Sequence, residues 1–280
     1  MRGSLLCMET EQRKPMIRDI TIGQYYPVDS VIHRLDPRVK LAGTMVFLIS
    51  LFASSGPIAY LIATAVLFSV IHVSRVPLRF ITKGLKAILI LLILSVSFNL
   101  FLTDGRTIVR IGFLRVTWEG LYLAFFMAVR LIYLVIASSL MTLTTTPNQL
   151  TDGLEKGLGC LKRFHVPVHE IAMMMSIALR FIPILIEETD KIMKAQTARG
   201  ADFESGNLIQ RAKAMVPILV PLFISAFRRA SDLAMAMEAR CYHGGEGRTK
   251  MKPLRYQSRD RIAYALMLIY FAVMLGTRLL

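Results

Sequence analysis

The sequence predicts an all-α integral membrane protein with about five transmembrane helices and a cytoplasmic domain built from long amphipathic helices. Hydrophobic residues make up 54% of the 280 positions, more than is usual in a soluble domain, and they fall in uncharged runs near bilayer length. The formal net charge is +15, and the basic residues cluster in the segments that flank or connect those runs. Because the cytoplasmic loops of membrane proteins collect Lys and Arg, we assign this charge to membrane orientation and expect no binding of nucleic acid.

Five apolar runs define the predicted spans within the lipid bilayer. The first two come from one stretch, residues 41–74, which contains no Lys, Arg, Asp or Glu. A single helix of that length would measure about 50 Å, which exceeds a hydrocarbon core of about 30 Å. Ser54-Ser55-Gly56-Pro57 interrupts the stretch and predicts a tight outer turn. The other three runs are residues 87–103, 118–143 and 262–277.

These spans divide the chain into four predicted regions. Residues 1–16 are expected to form a disordered extension, and residues 17–143 form a membrane domain with spans one to four. Residues 144–260 form a cytoplasmic domain, and residues 261–280 form the C-terminal transmembrane helix. Lys and Arg concentrate before span one, between spans two and three, and within 144–260, so these parts are expected to face the cytoplasm. We therefore predict a multi-pass protein of the cell membrane, with the C-terminus outside.

Two features of the membrane domain depart from the apolar pattern. Ile108–Ile111 and Phe113–Val116 alternate around Gly112, which predicts a small β-hairpin on the outer face. Arg130 lies inside the fourth span, where an arginine is costly. It is therefore a candidate functional residue, which either faces a buried partner or extends to the membrane surface.

Two long helices are predicted within residues 144–260. Thr146-Pro147-Asn148-Gln149 first predicts a capped helix start, and the long helices follow over about 168–199 and 208–240. Each is apolar in its first half and charged in its second half, so each is expected to pass from apolar surroundings into water. The two helices end with Ala198-Arg199-Gly200 and Ala239-Arg240-Cys241, which we call the Ala-Arg ends.

The Ala-Arg ends allow two interpretations. An arginine in the last turn interacts favourably with the helix dipole, and a following glycine is an ordinary way to end a helix. A guanidinium group also suits a carboxylate or backbone carbonyls in the groove of a partner better than it suits open water. The repetition of the motif favours partner binding, and the pattern alone leaves both interpretations open.

Other chemistries find less support in the sequence. The phosphate-binding pattern Gly-x-x-x-x-Gly-Lys-Ser/Thr does not occur, so we do not expect this chain to hydrolyse ATP. Glu187 and Glu188 leave an intramembrane hydrolase as one alternative. A stand-alone permease is a second alternative, although the sequence shows no inverted halves.

The segment Ser30-Val31-Ile32-His33-Arg34-Leu35-Asp36-Pro37-Arg38-Val39-Lys40 stands just before the first span. Together with the two Ala-Arg ends, it resembles the transmembrane T component of energy-coupling factor transporters. The resemblance runs from about Ile17 to the C-terminus. It implies a non-catalytic scaffold that joins two cytoplasmic ATP-binding cassette ATPases to a membrane-embedded, substrate-binding S component. Such a complex would import a vitamin or another micronutrient.

The same resemblance implies a role for each Ala-Arg end. Arg199 and Arg240 are expected to dock in grooves of the two ATPases, with Ala198 and Ala239 permitting close approach. Gly200 and Cys241 would complete the two motifs. Because Cys241 replaces the glycine of the family pattern, we expect the second helix end to lack its easiest left-handed residue.

Cofactors and the S component follow from the resemblance in the same way. ATP and magnesium are expected in the partner ATPases, and no cofactor is expected in this chain. Methionine side chains are flexible and adapt to different partners, so we interpret five of them as a candidate surface for S components. The alternative is that they belong to the protein core. The five are Met173, Met174, Met175, Met215 and Met235.

Overall fold

The computed structural model describes residues 25–53, 56–111, 114–164, 166–203, 207–244 and 254–279. The predicted extension, residues 1–16, lies outside this set. Eight α-helices, one 3-10 helix and one two-stranded sheet occur in the described residues. In chain order they are α1 (Pro37–Ala53), α2 (Pro57–Ser74), α3 (Leu78–Leu102), β1 (Thr107–Ile111), β2 (Leu114–Thr117), α4 (Trp118–Thr144), α5 (Pro147–Gly157), the 3-10 helix (Leu158–Phe164), α6 (Val168–Ala198), α7 (Leu208–Glu238) and α8 (Ser258–Leu279).

The chain forms two compact units. The larger unit contains α1 to α5 and α8, and its boundary falls at Ala172, in the first turns of α6. The smaller unit contains the rest of α6 and all of α7. The predicted boundaries at 143/144 and 260/261 concern the position of the chain relative to the membrane, and they stay predictions.

Five helices in the described residues are long and apolar enough to cross a membrane, namely α2, α4, α6, α7 and α8. Helix α3 is bent, and its two parts, Leu78–Lys86 and Ile88–Leu102, together make a sixth candidate. The predicted all-α membrane fold is confirmed, and so is the approximate number of spans. The set of candidate spans differs from the prediction, because it includes α6 and α7. These two helices have 31 residues each and measure about 46 Å, which is longer than the hydrocarbon core. An apolar half of each can lie in lipid while the charged half extends beyond it.

Helix α1 is shorter than the other predicted spans. Its 17 residues measure about 26 Å, which lies at the lower end of the range for a spanning helix. Gly43 lets α1 approach α8 closely, since a Cβ atom at this position would stand 2.5 Å from the Cε atom of Met267. A larger residue at position 43 would therefore displace the flexible end of the Met267 side chain.

The apolar core of the larger unit lies between α1, α2 and α4. Its six buried side chains come from all three helices and form one cluster. A second buried cluster, Val76, Ile81, Leu140 and Leu143, packs the start of α3 against the end of α4. The first cluster consists of Phe47, Leu51, Tyr60, Ala63, Leu67 and Ala137.

The predicted β-hairpin is confirmed. Strands β1 and β2 pair antiparallel, with an irregularity between Thr107 and Val109, and the turn residues 112–113 lie outside the described part. Thr117 joins the hairpin to α4, because its hydroxyl accepts a hydrogen bond from the Gly120 N–H at 3.1 Å and donates one to the Thr103 carbonyl at 2.9 Å. The hairpin is thereby fixed to the ends of α3 and α4.

The predicted start of α5 is also confirmed. The Gln149 N–H donates to the Thr146 hydroxyl at 3.3 Å, and the Thr146 N–H donates to the Gln149 side-chain oxygen at 3.2 Å. This reciprocal pair satisfies two backbone donors that the first helical turn leaves unpaired. The α-helix ends at Gly157, and the chain continues as the 3-10 helix.

Candidate functional site

The first Ala-Arg end closes α6 with a hydrogen-bonded turn. The Ala201 N–H donates to the Gln196 carbonyl, and the Gly200 N–H donates to the Thr197 carbonyl, each at 3.0 Å. This pair of bonds is the Schellman arrangement, which requires a left-handed residue after the helix. Gly200 occupies that place with a φ angle of 89°.

The second Ala-Arg end closes α7 in the same way. The Tyr242 N–H donates to the Met237 carbonyl at 3.1 Å, and the Cys241 N–H donates to the Glu238 carbonyl at 2.8 Å. Cys241 itself takes the left-handed conformation, with a φ angle of 55°. The second helix end lacks the glycine of the family pattern, as expected, and it nevertheless forms the same turn as the first. Its hydrogen bonds hold the cysteine in a conformation that costs a non-glycine residue about 1–2 kcal/mol.

Both arginines stand in solvent at these helix ends. Arg199 and Arg240 are exposed, as are Ala198 and Ala239. Among the described residues, neither guanidinium group forms an ion pair or a side-chain hydrogen bond within the chain. Each helix therefore ends with a small residue, a cation that no side chain in the described ranges engages, and a sharp change of chain direction.

An ion pair joins α6 to α7 within the smaller unit. The Nη2 atom of Arg229 donates to the Oε2 atom of Glu188 at 2.8 Å, and the two side chains are 39% and 27% exposed. The Nε atom of Arg229 is buried without a hydrogen-bond partner. This pair was not predicted, since nothing in the sequence shows which of the charged residues on α6 and α7 face each other.

The same pair bears on the alternative of a hydrolase with two acids. The carboxylate of Glu188 is engaged by Arg229, whereas Glu187 is exposed. Neighbouring residues on an α-helix point about 100° apart, so these two carboxylates do not converge on one reacting group. Among the described residues, Glu187 and Glu188 thus do not form the pair of acids that the hydrolase alternative requires.

The candidate methionine surface is largely exposed. Met174, Met175, Met215 and Met235 are between 48% and 59% exposed, while Met173 is half-buried. The alternative that these methionines form a core is wrong for the four exposed residues. Exposed apolar side chains continue along α7 around Met215, including Val216, Leu219, Val220, Phe223, Ile224 and Phe227.

The segment before the first span has a structural role that the sequence analysis did not foresee. Lys40 is 7% exposed, and its ammonium group donates to the His33 carbonyl at 3.1 Å and to the Thr144 carbonyl at 2.8 Å. A buried charge is tolerated only when its donors are satisfied. Lys40 therefore ties the loop before α1 to the end of α4.

Two buried carboxylates complete this arrangement. The Asp36 carboxylate accepts from the Arg38 N–H at 3.0 Å, and the Asp36 N–H donates to the Asp260 carboxylate at 3.0 Å. Asp260, only 2% exposed, also accepts from the Gln257 N–H at 2.7 Å. We call Asp36, Lys40, Thr144 and Asp260 the polar junction; it holds together the loop before α1, the end of α4 and the start of α8.

His33 adds a neutral group beside the polar junction. Its Nε2 atom lies 3.1 Å from the Tyr26 carbonyl and its Nδ1 atom 2.7 Å from the Ser30 hydroxyl. Since a carbonyl can only accept, Nε2 carries the proton and Nδ1 accepts from Ser30. Burial and the nearby charge of Lys40 lower the pKa of His33 below its usual 6.5, so the ring is neutral at pH 7.

Arg130 faces a partner within the larger unit. Its Nε atom donates to the Tyr60 hydroxyl at 2.9 Å, and its guanidinium carbon lies 5.5 Å from the centre of the Phe52 ring. Of the two predicted possibilities, the structure shows the buried partner, because Tyr60 is 7% exposed. This contact gives Arg130 a packing role between α4, α2 and α1.

These features define a class of protein: an α-helical, multi-pass membrane protein that presents two arginine-bearing helix ends. The family model of CbiQ, described as a cobalt transport protein, matches residues 29–251. The chain therefore belongs to this family of transporter transmembrane proteins, and it lies in the bacterial cell membrane.

Three relatives carry the name energy-coupling factor transporter transmembrane protein EcfT. The protein of Clostridium kluyveri is 54% identical over 266 residues, which cover 94% of this chain and 98% of the relative. The protein of Thermosediminibacter oceani is 55% identical over 248 residues, with 89% and 94% covered. The protein of Bacillus subtilis is 46% identical over 264 residues, with 94% and 100% covered.

Proposed function

We propose that this chain is the transmembrane scaffold of an energy-coupling factor importer. It transmits ATP-driven motion of two cytoplasmic ATPases to a membrane-embedded S component, which takes up a vitamin or another micronutrient. The family and the names of its relatives support the transporter assignment. The observation that carries the mechanism is that α6 and α7 end in the same turn, each with an exposed arginine.

Each Ala-Arg end is suited to dock in an ATPase groove. The left-handed residues Gly200 and Cys241 turn the chain away after the helix, so the helix end is accessible to a partner. A guanidinium group presents several donors in a rigid fork and can bind a carboxylate or carbonyl oxygens of the groove. Alanine before each arginine leaves room for the wall of the groove.

The ion pair between Glu188 and Arg229 would help the two helices respond together. Motion of one docked arginine would otherwise bend its own helix without moving the other. A charged hydrogen bond at 2.8 Å links the polar halves of α6 and α7, where they would leave the lipid. The scaffold would then transfer closure of the ATPases into a joint movement of both helices.

The apolar halves of α6 and α7 are the surface that we assign to the S component. The exposed methionines at positions 174, 175 and 215 lie in these halves, and exposed Met235 lies near the end of α7. Methionine side chains can change rotamer to fit more than one partner. Half-buried Met173 borders the same surface. The S component would select the substrate, and the ATPases would hold ATP and magnesium, so this chain needs no catalytic residue or cofactor of its own.

A pull-down experiment tests the docking role. The double variant Arg199→Glu and Arg240→Glu, expressed with both ATPases of the transporter, should recover at least about tenfold less ATPase, because charge reversal repels the acceptors of each groove. Membrane insertion should be unchanged. The matched control is Lys191→Glu with Arg211→Glu, which changes one exposed cation in each helix and should retain both ATPases.

The outcome also separates this proposal from its alternatives. Full recovery of both ATPases by the double arginine variant would refute docking at these ends. Uptake by the purified chain alone in liposomes would favour a permease. Loss of a hydrolytic activity in the variant Glu187→Gln with Glu188→Gln would favour the hydrolase.

A further inference from the structure

A basic cavity of about 420 Å³ opens in the larger unit at the end of α2. Three arginines line it, Arg34, Arg75 and Arg259, together with one acid, Asp29. The proposed docking of ATPases and S components makes no use of this cavity. Its net charge is positive, so it favours an anion.

The three arginines reach the cavity from separate parts of the chain. Arg34 belongs to the loop before α1, Arg75 follows α2, and Arg259 lies in the first turn of α8. Arg75 takes a left-handed conformation, with a φ angle of 55°, and its N–H donates to the His72 carbonyl at 3.3 Å. The fold therefore brings together three charges from three separate segments of the chain.

Arg34 and Arg259 have partners within the chain that a bound anion could replace. The Nη2 atom of Arg34 lies 3.4 Å from the Oδ1 atom of Asp29, with side chains that are 59% and 87% exposed. An exposed ion pair of this kind contributes little stability. Arg259 donates to the neutral side chain of Gln257 at 2.6 Å. A phosphate group would offer both arginines a stronger, charge-assisted acceptor.

The lining of the cavity and its place at the end of α2 indicate the source of that phosphate. Helix α2 is a candidate span that ends at Ser74, and Arg75 follows at once. Val31 and Val73 also line the cavity and are 56% and 44% exposed. Cations beside exposed apolar side chains at the end of a span match a phospholipid, whose headgroup is charged and whose chains are apolar.

We propose that this cavity binds the phosphate group of an anionic phospholipid from the cytoplasmic leaflet. Arg34, Arg75 and Arg259 coordinate the phosphate oxygens through their guanidinium forks. Val31 and Val73 contact the adjoining apolar part of the lipid. A soluble phosphate ester shares the anionic chemistry without the apolar part, and the experiment below separates the two sources.

Lipid titration of the purified protein tests the site. The protein in a nonionic detergent is titrated with phosphatidylglycerol, phosphatidylcholine or glycerol phosphate, and bound molecules are counted by native mass spectrometry. Phosphatidylglycerol should bind, and the other two should bind at least about tenfold more weakly. The variant Arg34→Gln with Arg75→Gln should lose at least about tenfold in affinity for phosphatidylglycerol, since it removes charged hydrogen bonds.

Control variants make the result decisive. Arg211→Gln with Arg228→Gln removes the same charge from exposed positions on α7 and should leave phosphatidylglycerol affinity unchanged. Arg34→Gln alone, a change at an exposed side chain, provides a folded variant if the double variant does not fold. Unchanged affinity in the cavity variants would overturn the site. Equal binding of glycerol phosphate would overturn the lipid as its source, and equal binding of phosphatidylcholine would overturn its selectivity for anionic headgroups.

Discussion

The polar junction and the Ala-Arg ends use charged residues in opposite ways. At the junction, Asp36, Lys40 and Asp260 are between 2% and 7% exposed. The Lys40 ammonium and the Asp260 carboxylate hydrogen-bond to backbone groups of other segments, and the Asp36 carboxylate accepts from the Arg38 N–H. At the helix ends, Arg199 and Arg240 are exposed, and in the described part of the chain no side-chain partner within the protein engages them.

This difference indicates that charged residues serve two roles in this chain, one in stability and one in contact with other molecules. A buried charge is costly and persists because its partners are satisfied, so its loss lowers stability. An exposed charge without an internal partner contributes little to folding, so its repetition at two helix ends indicates use by another molecule. The segment around Asp36 thus holds the protein together, whereas Arg199 and Arg240 are available for contact.

The largest effect is expected from breaking the polar junction. Asp260→Ala removes the acceptor of the Asp36 and Gln257 N–H groups, and leaving such buried donors unpaired should cost about 3 kcal/mol of the free energy of unfolding. Denaturation of the purified protein in mixed micelles measures this change. Asp232→Ala removes an exposed acid and should change stability by less than about 0.5 kcal/mol. Equal effects of the two variants would remove the distinction between junction and surface.

A smaller effect is expected from the left-handed residues at the helix ends. Cys241→Gly should stabilise the end of α7 by about 1 kcal/mol, because glycine adopts a positive φ angle without a steric penalty. Gly200→Ala should destabilise the end of α6 by a similar amount, because alanine is strained at a positive φ angle. The added Cβ atom would meet nothing within 4 Å, so no steric clash adds to this cost. Hydrogen exchange at the Tyr242 and Ala201 amides measures both changes. Faster exchange at Tyr242 in Cys241→Gly would contradict the assignment of one shared turn.

The smallest effect is expected from the ion pair between α6 and α7. A double-mutant cycle with Glu188→Gln and Arg229→Met should give a coupling energy of about 0.5 kcal/mol, because both side chains are partly exposed. Substrate uptake by the complete transporter should fall more than stability does, if the pair makes the helices move together. The swapped pair Glu188→Arg with Arg229→Glu should recover uptake. No recovery would limit the pair to a local contact.

The sequence predicted the features that depend on local chemistry. The capping box at Thr146, the hairpin around Gly112 and the two long helices follow from turn residues and hydrophobic period, and the structure contains all three. The position of Arg199 at a helix end also followed from the sequence, because Gly200 comes directly after it. The position of Arg240 followed from the repetition of the Ala-Arg motif.

The features that the sequence missed depend on contacts between distant residues. Asp260 contacts Asp36 across most of the chain, and Glu188 meets Arg229 on a different helix. An acid in the first turn of α8 had an ordinary interpretation as a favourable charge near the helix N-terminus. The conformation of Cys241 was missed for a related reason: residue preference favours glycine there, but the hydrogen bonds of the turn override it.

Photocrosslinking in membranes that contain the complete transporter tests the central claim most directly. A photoreactive amino acid is placed at Ala195, four residues before Arg199, or at Ala236, four residues before Arg240. Both positions are exposed, and residues four apart lie on the same face of a helix. We expect both positions to crosslink to an ATPase subunit, and a probe at Arg211 to give no such product. Crosslinking of neither position to an ATPase, in complexes that still import substrate, would contradict docking through the Ala-Arg ends.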